Sequence, residues 1–187
     1  MRKLIISMHI SVDGFVAGPN GEMDWIHVDG EIFEYAGNMT DQADTALYGR
    51  VTYQMMESYW PTAASQPNAS AHDIQHSAWY NKVEKVVISN TLKGSNLNNT
   101  RIIGDNLYKE IQDIKDRPGS NILMFGSPSA AHSLMQYNLI DEYWLFVNPI
   151  LLGRGIPLFK NINERVSLRL EESVAFKCGM LGANYKK

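Results

Sequence analysis

The chain alternates short apolar runs rich in β-branched residues with longer segments in which apolar residues recur at helical spacing. This alternation is typical of parallel strands, because a helix commonly carries the chain from the end of one parallel strand to the start of the next. Six runs are predicted as strands: Leu4–Ser11, Ala46–Gly49, Lys85–Ser89, Arg101–Ile103, Ile122–Phe125 and Glu142–Val147. The pattern predicts an α/β fold in three layers, with a mostly parallel central sheet between flanking helices.

The segments between these runs are predicted as helices. Asp29 is a suitable N-cap for the first helix, because its side chain can accept a hydrogen bond from a free backbone N–H group. The other four helices are predicted over Val51–Ser58, Ala71–Lys82, Asn106–Lys115 and Ser129–Tyr137. After Pro149 the helical spacing stops, and Ser167–Phe176 with Met180–Tyr185 is predicted to form an antiparallel pair that closes one edge of the sheet.

The segment from Tyr59 to Ser70 is rich in Pro, Ser, Ala and Asn and is predicted as the longest loop. It is interpreted either as a mobile flap or as plain surface. With 187 residues, of which 44% are hydrophobic, the chain is expected to form one domain over residues 1–187.

Charge and cysteine content exclude several classes of function. A formal net charge of −3 provides no basic field for phosphate backbones, so nucleic acid is not an expected partner. A single cysteine, Cys178, excludes an intrachain disulfide and cysteine-rich zinc sites, so no metal is predicted. No apolar run approaches the roughly 18 residues of a membrane span. The expected location is the reducing cytoplasm.

Three predicted strands end in small polar residues that suit an anion. One strand ends at Gly49, and Arg50 and Thr52 open the following helix. Ser89 and Asn90 follow another strand, and Gly126, Ser127 and Ser129 connect a third strand to its helix. Helix N-termini, a guanidinium and hydroxyl groups bind phosphate, and parallel strands place their carboxyl ends on one edge. Together the three ends could hold the separated phosphates of a dinucleotide.

Each of these ends also has a structural interpretation when it is taken alone. The first is equally a turn with a surface arginine, the second a plain turn, and the third a helix with an ordinary serine N-cap. No Walker-type Gly-Lys-Ser/Thr motif is present to support the phosphate interpretation.

The order and spacing of the motifs resemble a known superfamily. The segment from Ile10 to Gly18, followed by Asn20 and Trp25, resembles the opening of dihydrofolate reductase-like proteins, especially the reductase domain of bacterial riboflavin biosynthesis enzymes. The segment from Pro149 to Phe159 is similar to a signature of the riboflavin-type branch. The resemblance is collinear from about Leu4 to Tyr185 and implies a dihydrofolate reductase-like fold.

The resemblance also implies a cofactor and its site. The cofactor is NADPH, with Gly49, Arg50 and Thr52 at the 2′-phosphate end and Ser89 and Asn90 as a second adenosine-side contact. Gly126, Ser127 and Ser129 correspond to the pyrophosphate loop. Relatives in the riboflavin-type branch form homodimers, and a homodimer is expected here. The apolar strand Glu142–Val147 and the C-terminal edge are the predicted interface.

Two departures limit the resemblance. Folate reductases carry an acidic residue at the first crossover helix, and the collinear position falls at about Gly30, between Asp29 and Glu31. This departure argues against folate reduction. The bifunctional riboflavin enzymes also carry a zinc deaminase domain, whose His-x-Glu motif the sequence lacks. The chain therefore resembles a stand-alone member of the reductase branch.

The predicted catalytic residues are Asp13, Trp25 and Glu31, near the expected position of the nicotinamide. Asp13 is also a common residue of an Asp-Gly turn, and Trp25, like Trp60, is either a pocket wall or part of the core. Three histidines also have structural interpretations. His9 is a core histidine or faces the cleft, and His72 and His76 are interpreted as exposed rather than as metal ligands.

The sequence thus predicts an NADPH-dependent oxidoreductase that transfers a hydride to a small heteroaromatic or carbonyl substrate, such as a pterin, a flavin precursor or a ribosylaminopyrimidine. The alternative is a protein that binds a dinucleotide and senses it without catalysis.

Overall fold

The computed structural model of the chain describes residues 1–162 and 164–187. These residues form ten strands and five helices. The strands are β1 (Leu4–Ser11), β2 (Phe15–Ala17), β3 (Ala43–Gly49), β4 (Glu84–Ile88), β5 (Thr100–Ile103), β6 (Asn121–Met124), β7 (Glu142–Asn148), β8 (Ile156–Pro157), β9 (Arg169–Ala175) and β10 (Leu181–Lys186). The helices are α1 (Gly30–Asp41), α2 (Arg50–Ala63), α3 (Ala71–Lys82), α4 (Leu107–Asp116) and α5 (Pro128–Gln136).

Eight strands form one sheet in the order β5-β4-β3-β6-β1-β7-β10-β9. The first six strands of this order pair in parallel, whereas β10 pairs antiparallel with both β7 and β9. The predicted parallel sheet and the antiparallel C-terminal pair are therefore confirmed. The short strands β2 and β8 form a separate antiparallel pair, which the sequence pattern did not predict.

Helices cover both faces of the sheet. Alternate residues of β1, such as Ile6 and Met8, pack in one core with α4 and α5. The opposite face of the sheet packs against α1, α2 and α3. Because both faces are covered, central strands such as β3 bury consecutive residues, and Leu47 and Tyr48 are both fully buried. The predicted three layers are confirmed.

The predicted loop from Tyr59 to Ser70 is wrong over its first part. α2 continues through Tyr59, Trp60 and Pro61 and ends at Ala63, which shortens the loop before α3. Side chains of α3 stabilise this extension, because Ser77 donates a hydrogen bond to the carbonyl of Trp60 at 2.7 Å and Asn81 donates to that of Pro61 at 3.2 Å. A proline near the end of a helix is tolerated when such partners satisfy the free carbonyl groups.

Candidate functional site

The carboxyl ends of β3 and β6 lie side by side, and the chain leaves them in opposite directions. From β3 it enters α2 on one face of the sheet, and from β6 it enters α5 on the other face. The backbone N–H of Gly49 donates to the carbonyl of Gly126 across this junction at 3.3 Å. In open α/β sheets such a switch point forms a crevice in which ligands bind.

Glycine is required at this junction because the two turns approach closely. A side chain at Gly49 would overlap the hydroxyl of Ser127 and lie 3.3 Å from the Cβ of Ala130. Gly126 has φ +112°, which disfavours other residues, and a Cβ there would lie 3.2 Å from the Oγ1 of Thr52. Gly126 and the buried Thr52 therefore lie together behind the junction.

A groove of about 400 Å³ opens at the junction and runs along the carboxyl ends of β3, β4 and β5. Six of the predicted cofactor-binding residues line it, namely Gly49, Arg50, Ser89, Asn90, Ser127 and Ser129. The predicted three turns are thus gathered in one groove, which has the size of a nucleotide. Ile103, Gly104 and Leu107 also line the groove. They were not selected from the sequence, because a buried strand and a helix start carry no chemical signal of their own.

Three helices begin at this groove, and none of them has a side-chain cap. The residues preceding α2, α4 and α5 are Gly49, Asn106 and Ser127, and none of their side chains accepts a hydrogen bond from the first turn of its helix. The first residues of α2 and α4, Arg50 and Leu107, line the groove, as does Ser129 in α5. The free N–H groups and the positive ends of the helix dipoles therefore point towards an anion site.

Among the described residues that line the groove, Arg50 is the only charged one. Its side chain is exposed, and its Nη1 donates to the Oε1 of Gln54 one turn further along α2 at 3.0 Å. The contact with Gln54 leaves most of the five guanidinium N–H donors for a ligand. The groove therefore combines a fixed positive charge with three helix N-termini.

The serine hydroxyls of the groove differ in their contacts. Ser127 and Ser129 share a hydrogen bond of 3.1 Å, so Ser127 stands at the N-cap position of α5 without capping the helix. The ordinary serine cap that the sequence allowed is therefore absent. Ser89 accepts a hydrogen bond from the N–H of Leu92 at 3.1 Å, which stabilises the turn after β4. Ser89 thus has a structural role in addition to lining the groove.

Asp13 lies away from the groove, in the loop between β1 and β2. Its carboxylate accepts hydrogen bonds from the Ser11 hydroxyl at 2.6 Å, the Gly153 N–H at 2.7 Å and the Leu152 N–H at 3.1 Å. The bond from Ser11, followed by those from Gly153 and Leu152, lowers the pKa of Asp13 below its ordinary value. The carboxylate therefore stays ionised and holds the loop after β7 against the end of β1.

Glu31 and Trp25 also lie outside the groove. Glu31 is exposed in the first turn of α1 and accepts a hydrogen bond from the N–H of Lys177 at 3.2 Å, beside the turn between β9 and β10. The indole of Trp25 donates to the carbonyl of Glu22 at 3.1 Å within its own loop. Neither residue lines the groove, and their catalytic role stays a prediction.

The interpretation of His72 and His76 as exposed is wrong. His72 stacks on Phe33 of α1 with a centroid distance of 3.9 Å, and His76 lies 4.0 Å from the ring of Trp60. Burial lowers the pKa of His76 to about 4. Both rings lie at the junction of α1, α2 and α3, where aromatic residues of the three helices pack together. The spacing of residues within one helix could not predict these contacts between helices.

The Nδ1 atom of the partly buried His9 is buried and has no hydrogen-bond partner in the described part of the chain. Its ring stacks on Phe146 of the neighbouring strand β7 at 5.1 Å, and burial lowers its pKa to about 4. The imidazole is therefore neutral at pH 7 and has an unused acceptor or donor. This differs from the ordinary core histidine, whose polar atoms are hydrogen-bonded.

The model of the RibD C-terminal domain matches residues 2–181. The chain belongs to the RibD C-terminal domain family. A relative along nearly the whole chain is the "uncharacterized protein YyaP" of Bacillus subtilis (strain 168), with 30% identity over 98% of this chain and 94% of that protein. The resemblance predicted from the motif order is thereby confirmed.

Solved structures show that this RibD-type chain has the dihydrofolate reductase-like fold. Dihydrofolate reductase from Enterococcus faecalis, solved with NADP(H), has a TM-score of 0.61 at 12% identity and covers 98% of this chain and 95% of its own. A deaminase/5-amino-6-(5-phosphoribosylamino)uracil reductase from Thermotoga maritima has a TM-score of 0.68 at 10% identity, covering 99% of this chain and 56% of its own. The predicted fold class is confirmed.

Two further observations concern membranes and metals. Among the helices of the described residues, none combines the length and the apolar character needed to cross a membrane. The same residues contain no group of three or more His, Cys, Asp or Glu side chains placed to hold a metal ion.

Proposed function

We propose that this RibD-type chain is an NADPH-dependent reductase that transfers a hydride to a small heteroaromatic or carbonyl substrate. The substrate class comprises pterin-like, flavin-precursor-like and ribosylaminopyrimidine-like compounds. The observation that carries the proposal is the convergence of three helix N-termini without side-chain caps on one groove whose only charged lining residue is Arg50. Such a groove suits a ligand with several phosphate groups.

The groove residues fit the two ends of the proposed cofactor. Arg50 and the N-terminus of α2 would hold the 2′-phosphate, with Ser89 and Asn90 beside the adenosine. Gly49 and Gly126 allow the two turns to approach closely. The pyrophosphate would bind at the N-terminus of α5, where Ser127 and Ser129 supply hydroxyl groups. The reduced nicotinamide supplies the hydride, so the protein has to position the reactants and exclude water.

The substrate would lie on the other side of β1, beside the loop of Asp13 and the start of α1. Three hydrogen bonds hold the Asp13 carboxylate, so we assign it a positioning role for the segment at Leu152 and Gly153. Glu31 and Trp25 remain candidates for contact with the substrate, because both lie on segments that follow β1. Glu31 is an exposed carboxyl at a helix start and the better candidate for a proton relay.

The proposal includes a homodimer in the cytoplasm. The interface that we predicted at β7 is wrong in part, because β7 is an interior strand between β1 and β10. The edge strand on this side of the sheet is β9, which is almost entirely exposed and carries Leu170, with Leu168 and Val166 exposed just before it. An exposed edge strand flanked by apolar side chains favours pairing with a second copy. The free thiol of Cys178 suits a reducing compartment. A monomer by light scattering at micromolar concentration would contradict the dimer.

The test of the proposed cofactor compares NADPH and NADH by tryptophan fluorescence in the wild type and in Arg50→Ala. A charge-assisted contact with the 2′-phosphate is worth roughly 1.5–3 kcal/mol, which predicts about ten- to a hundred-fold tighter binding of NADPH. Arg50→Ala should remove most of this preference and leave NADH affinity almost unchanged. Ser129→Ala should weaken both cofactors by a similar, smaller factor. Equal affinity of the wild type for the two cofactors, or equal losses in Arg50→Ala, would place Arg50 outside the phosphate site.

The second candidate function is a sensor that binds the dinucleotide without catalysis. It is favoured by the position of Asp13, whose carboxylate accepts three hydrogen bonds outside the groove. Steady oxidation of NADPH with a panel of pterins, flavins and carbonyl compounds separates the two candidates. Turnover supports the reductase, whereas tight NADPH binding without turnover across the panel supports the sensor.

A further inference from the structure

The sheet face that α1, α2 and α3 cover has an opening over the carboxyl half of β1. Ile6 and Met8 of this strand are buried on the other face, against α4 and α5. Ser7 and His9 alternate with them and remain partly exposed. β1 is an interior strand between β6 and β7, and the side chains of such a strand are normally covered on both faces. The helices therefore leave this part of the sheet open to solvent.

The opening adjoins the turn at which the pyrophosphate would bind. Ile6 of β1 pairs with Met124 of β6, so Phe125 lies beside Ser7 at the next position, and it too is partly exposed. Gly126, the first residue of the turn, follows directly. Neighbouring strands are about 4.8 Å apart. A dinucleotide that extends from this turn across the sheet would therefore place its reactive ring at the opening on β1.

His9 presents one of its two ring nitrogens to the opening. Its Nδ1 is buried and has no hydrogen-bond partner among the described residues. Those residues also provide no partner for Nε2, but this atom, unlike Nδ1, keeps surface that solvent can reach. The ring stacks on Phe146 of β7 with a centroid distance of 5.1 Å and 22° between the two planes, which holds its orientation. A bound molecule can therefore contact Nε2, whereas Nδ1 stays out of its reach.

The surroundings of the two nitrogens favour one tautomer of His9. Burial lowers its pKa to about 4, so the ring is neutral at pH 7 and carries a single N–H group. In folded proteins a buried N–H group without an acceptor is rarer than a buried acceptor without its full set of donors. The proton therefore belongs on Nε2, where water or a ligand can accept from it. His9 thus offers an uncharged hydrogen-bond donor to the opening.

Aromatic rings flank this donor on both neighbouring strands. Phe146 of β7 stacks on His9, and Phe125 lies on the β6 side, next to Ser7. Phe125 is itself held edge to face by Trp79 at a centroid distance of 5.9 Å. Flat heterocycles pack well against such rings, and a single polar contact can then fix their orientation.

We propose that, given the reductase function above, His9 is a substrate-binding residue whose Nε2–H donates a hydrogen bond to a ring carbonyl oxygen of the substrate. Within the proposed substrate class, this contact selects compounds with a carbonyl group over those with an amino group at the same position. An amino group there would set two donors against each other and leave the imidazole N–H unpaired. The substrate of the reductase is thus a planar heterocycle with a ring carbonyl.

The test uses lumazine (pteridine-2,4-dione) as the probe. The matched control is 2,4-diaminopteridine, which has amino groups in place of both carbonyl groups. Calorimetric titration of the full chain without cofactor should show saturable one-to-one binding of lumazine and about tenfold weaker binding of the diamine. His9→Phe keeps an aromatic ring against Phe146 and loses the donor. It should weaken lumazine by about tenfold, as expected for one hydrogen bond, and leave the diamine unchanged or tighter.

Two further variants separate the roles of the ring nitrogens. His9→Gln carries an amide NH₂ near the place of Nε2 and should keep most of the lumazine affinity. His9→Asn, whose amide reaches only as far as Nδ1, should lose it as His9→Phe does. A purely structural histidine would not show this order. If circular dichroism shows that His9→Phe is unfolded, the comparison of His9→Gln with His9→Asn decides the question.

Separate titration with NADPH, followed by tryptophan fluorescence, distinguishes this contact from the cofactor site. NADPH affinity should be the same in the wild type and in each His9 variant. A wild type that selects lumazine through His9 but does not bind NADPH would contradict the cofactor and leave the His9 contact standing. Equal affinity for the two pteridines, absence of saturation at millimolar concentrations, or a lumazine affinity unchanged in every folded His9 variant would overturn the proposal. So would a loss of NADPH affinity in His9→Phe, which would assign the donor to the nicotinamide carboxamide instead.

Discussion

The five helices start in two different ways, depending on where they begin. α1 and α3 start with side-chain caps, since Asp29 accepts from the Ile32 N–H and Ser70 forms a capping box with Asp73. α2, α4 and α5 start at the groove without side-chain caps. Capping satisfies N–H groups that have no partner inside the helix and stabilises the helix start.

The difference shows that helix starts in one protein can serve either stability or ligand binding. Where a helix start has only a structural role, its own residues satisfy the free N–H groups. Where the start borders the switch point between β3 and β6, the N–H groups remain available for a phosphate. The α1 and α3 region is instead closed by aromatic stacking, with Phe33 on His72 and Trp60 on His76. The two regions should therefore respond differently to pH, to added side-chain volume and to loss of a cap.

The largest expected effect is acid destabilisation by two histidines outside the groove, namely His76 between α1, α2 and α3 and His9 on β1. Burial lowers the pKa of His9 and of His76 from 6.5 to about 4. Between these pH values the unfolded chain binds more protons than the folded protein, so the free energy of unfolding should fall as the pH drops from about 6.5 to about 4. It should be level above pH 7. The loss is about 2–3 kcal/mol per histidine. Urea titrations of the wild type, His76→Gln and His9→Gln at several pH values test this, and each variant should flatten the curve. A wild-type stability that is constant over this range would contradict the burial of both imidazoles.

An added methyl group should change the stability of the protein differently at the groove and at the start of α1. Gly49→Ala should destabilise the protein by about 1–3 kcal/mol, because the methyl group would overlap Ser127 and crowd Ala130. The matched control is Gly30→Ala at the start of α1, where a Cβ would meet nothing within 4 Å. The control should be neutral or stabilise by up to about 1 kcal/mol. Thermal unfolding measures both variants, and equal losses in the two would show that the junction of β3 and β6 is less tight than described.

Removing a serine hydroxyl should give the smallest difference in stability between the capped region and the groove. Ser70→Ala should cost about 1 kcal/mol of stability, because it removes the hydrogen bond from the Asp73 N–H to the Ser70 hydroxyl. Ser127→Ala should cost less than about 0.5 kcal/mol, because the Ser127 hydroxyl caps no N–H group. Urea unfolding of the two variants gives this comparison directly. A larger loss in Ser127→Ala than in Ser70→Ala would mean that Ser127 does cap α5.

Most of the sheet could be predicted from the sequence because each parallel strand is a buried apolar run followed by a helix. β2 and β8 were missed, because two or three residues carry too little periodicity and their pairing depends on contacts between distant segments. The extension of α2 past Pro61 was also missed because it depends on contacts between separate segments. Ser77 and Asn81 of α3 donate hydrogen bonds to its last carbonyl groups.

The positions of the groove residues could be predicted from the sequence better than the role of Asp13. Gly49, Arg50 and Ser129 are found because turns and helix starts follow the strand ends in sequence. The role of Asp13 depends on Leu152 and Gly153, which lie far along the chain, so sequence alone left open whether it formed a turn or took part in chemistry.

The central claim is that the starts of α2, α4 and α5 bind the phosphates of NADPH with free backbone N–H groups. It is tested most directly by ¹H–¹⁵N NMR during titration with NADPH. Saturable shifts are expected for the amides of residues 50–52, 107–109 and 129–131, with little change at residues 71–73, where α3 carries its own cap. Shifts that favour the start of α3, or amides at the groove that do not respond to saturating NADPH, would contradict the account.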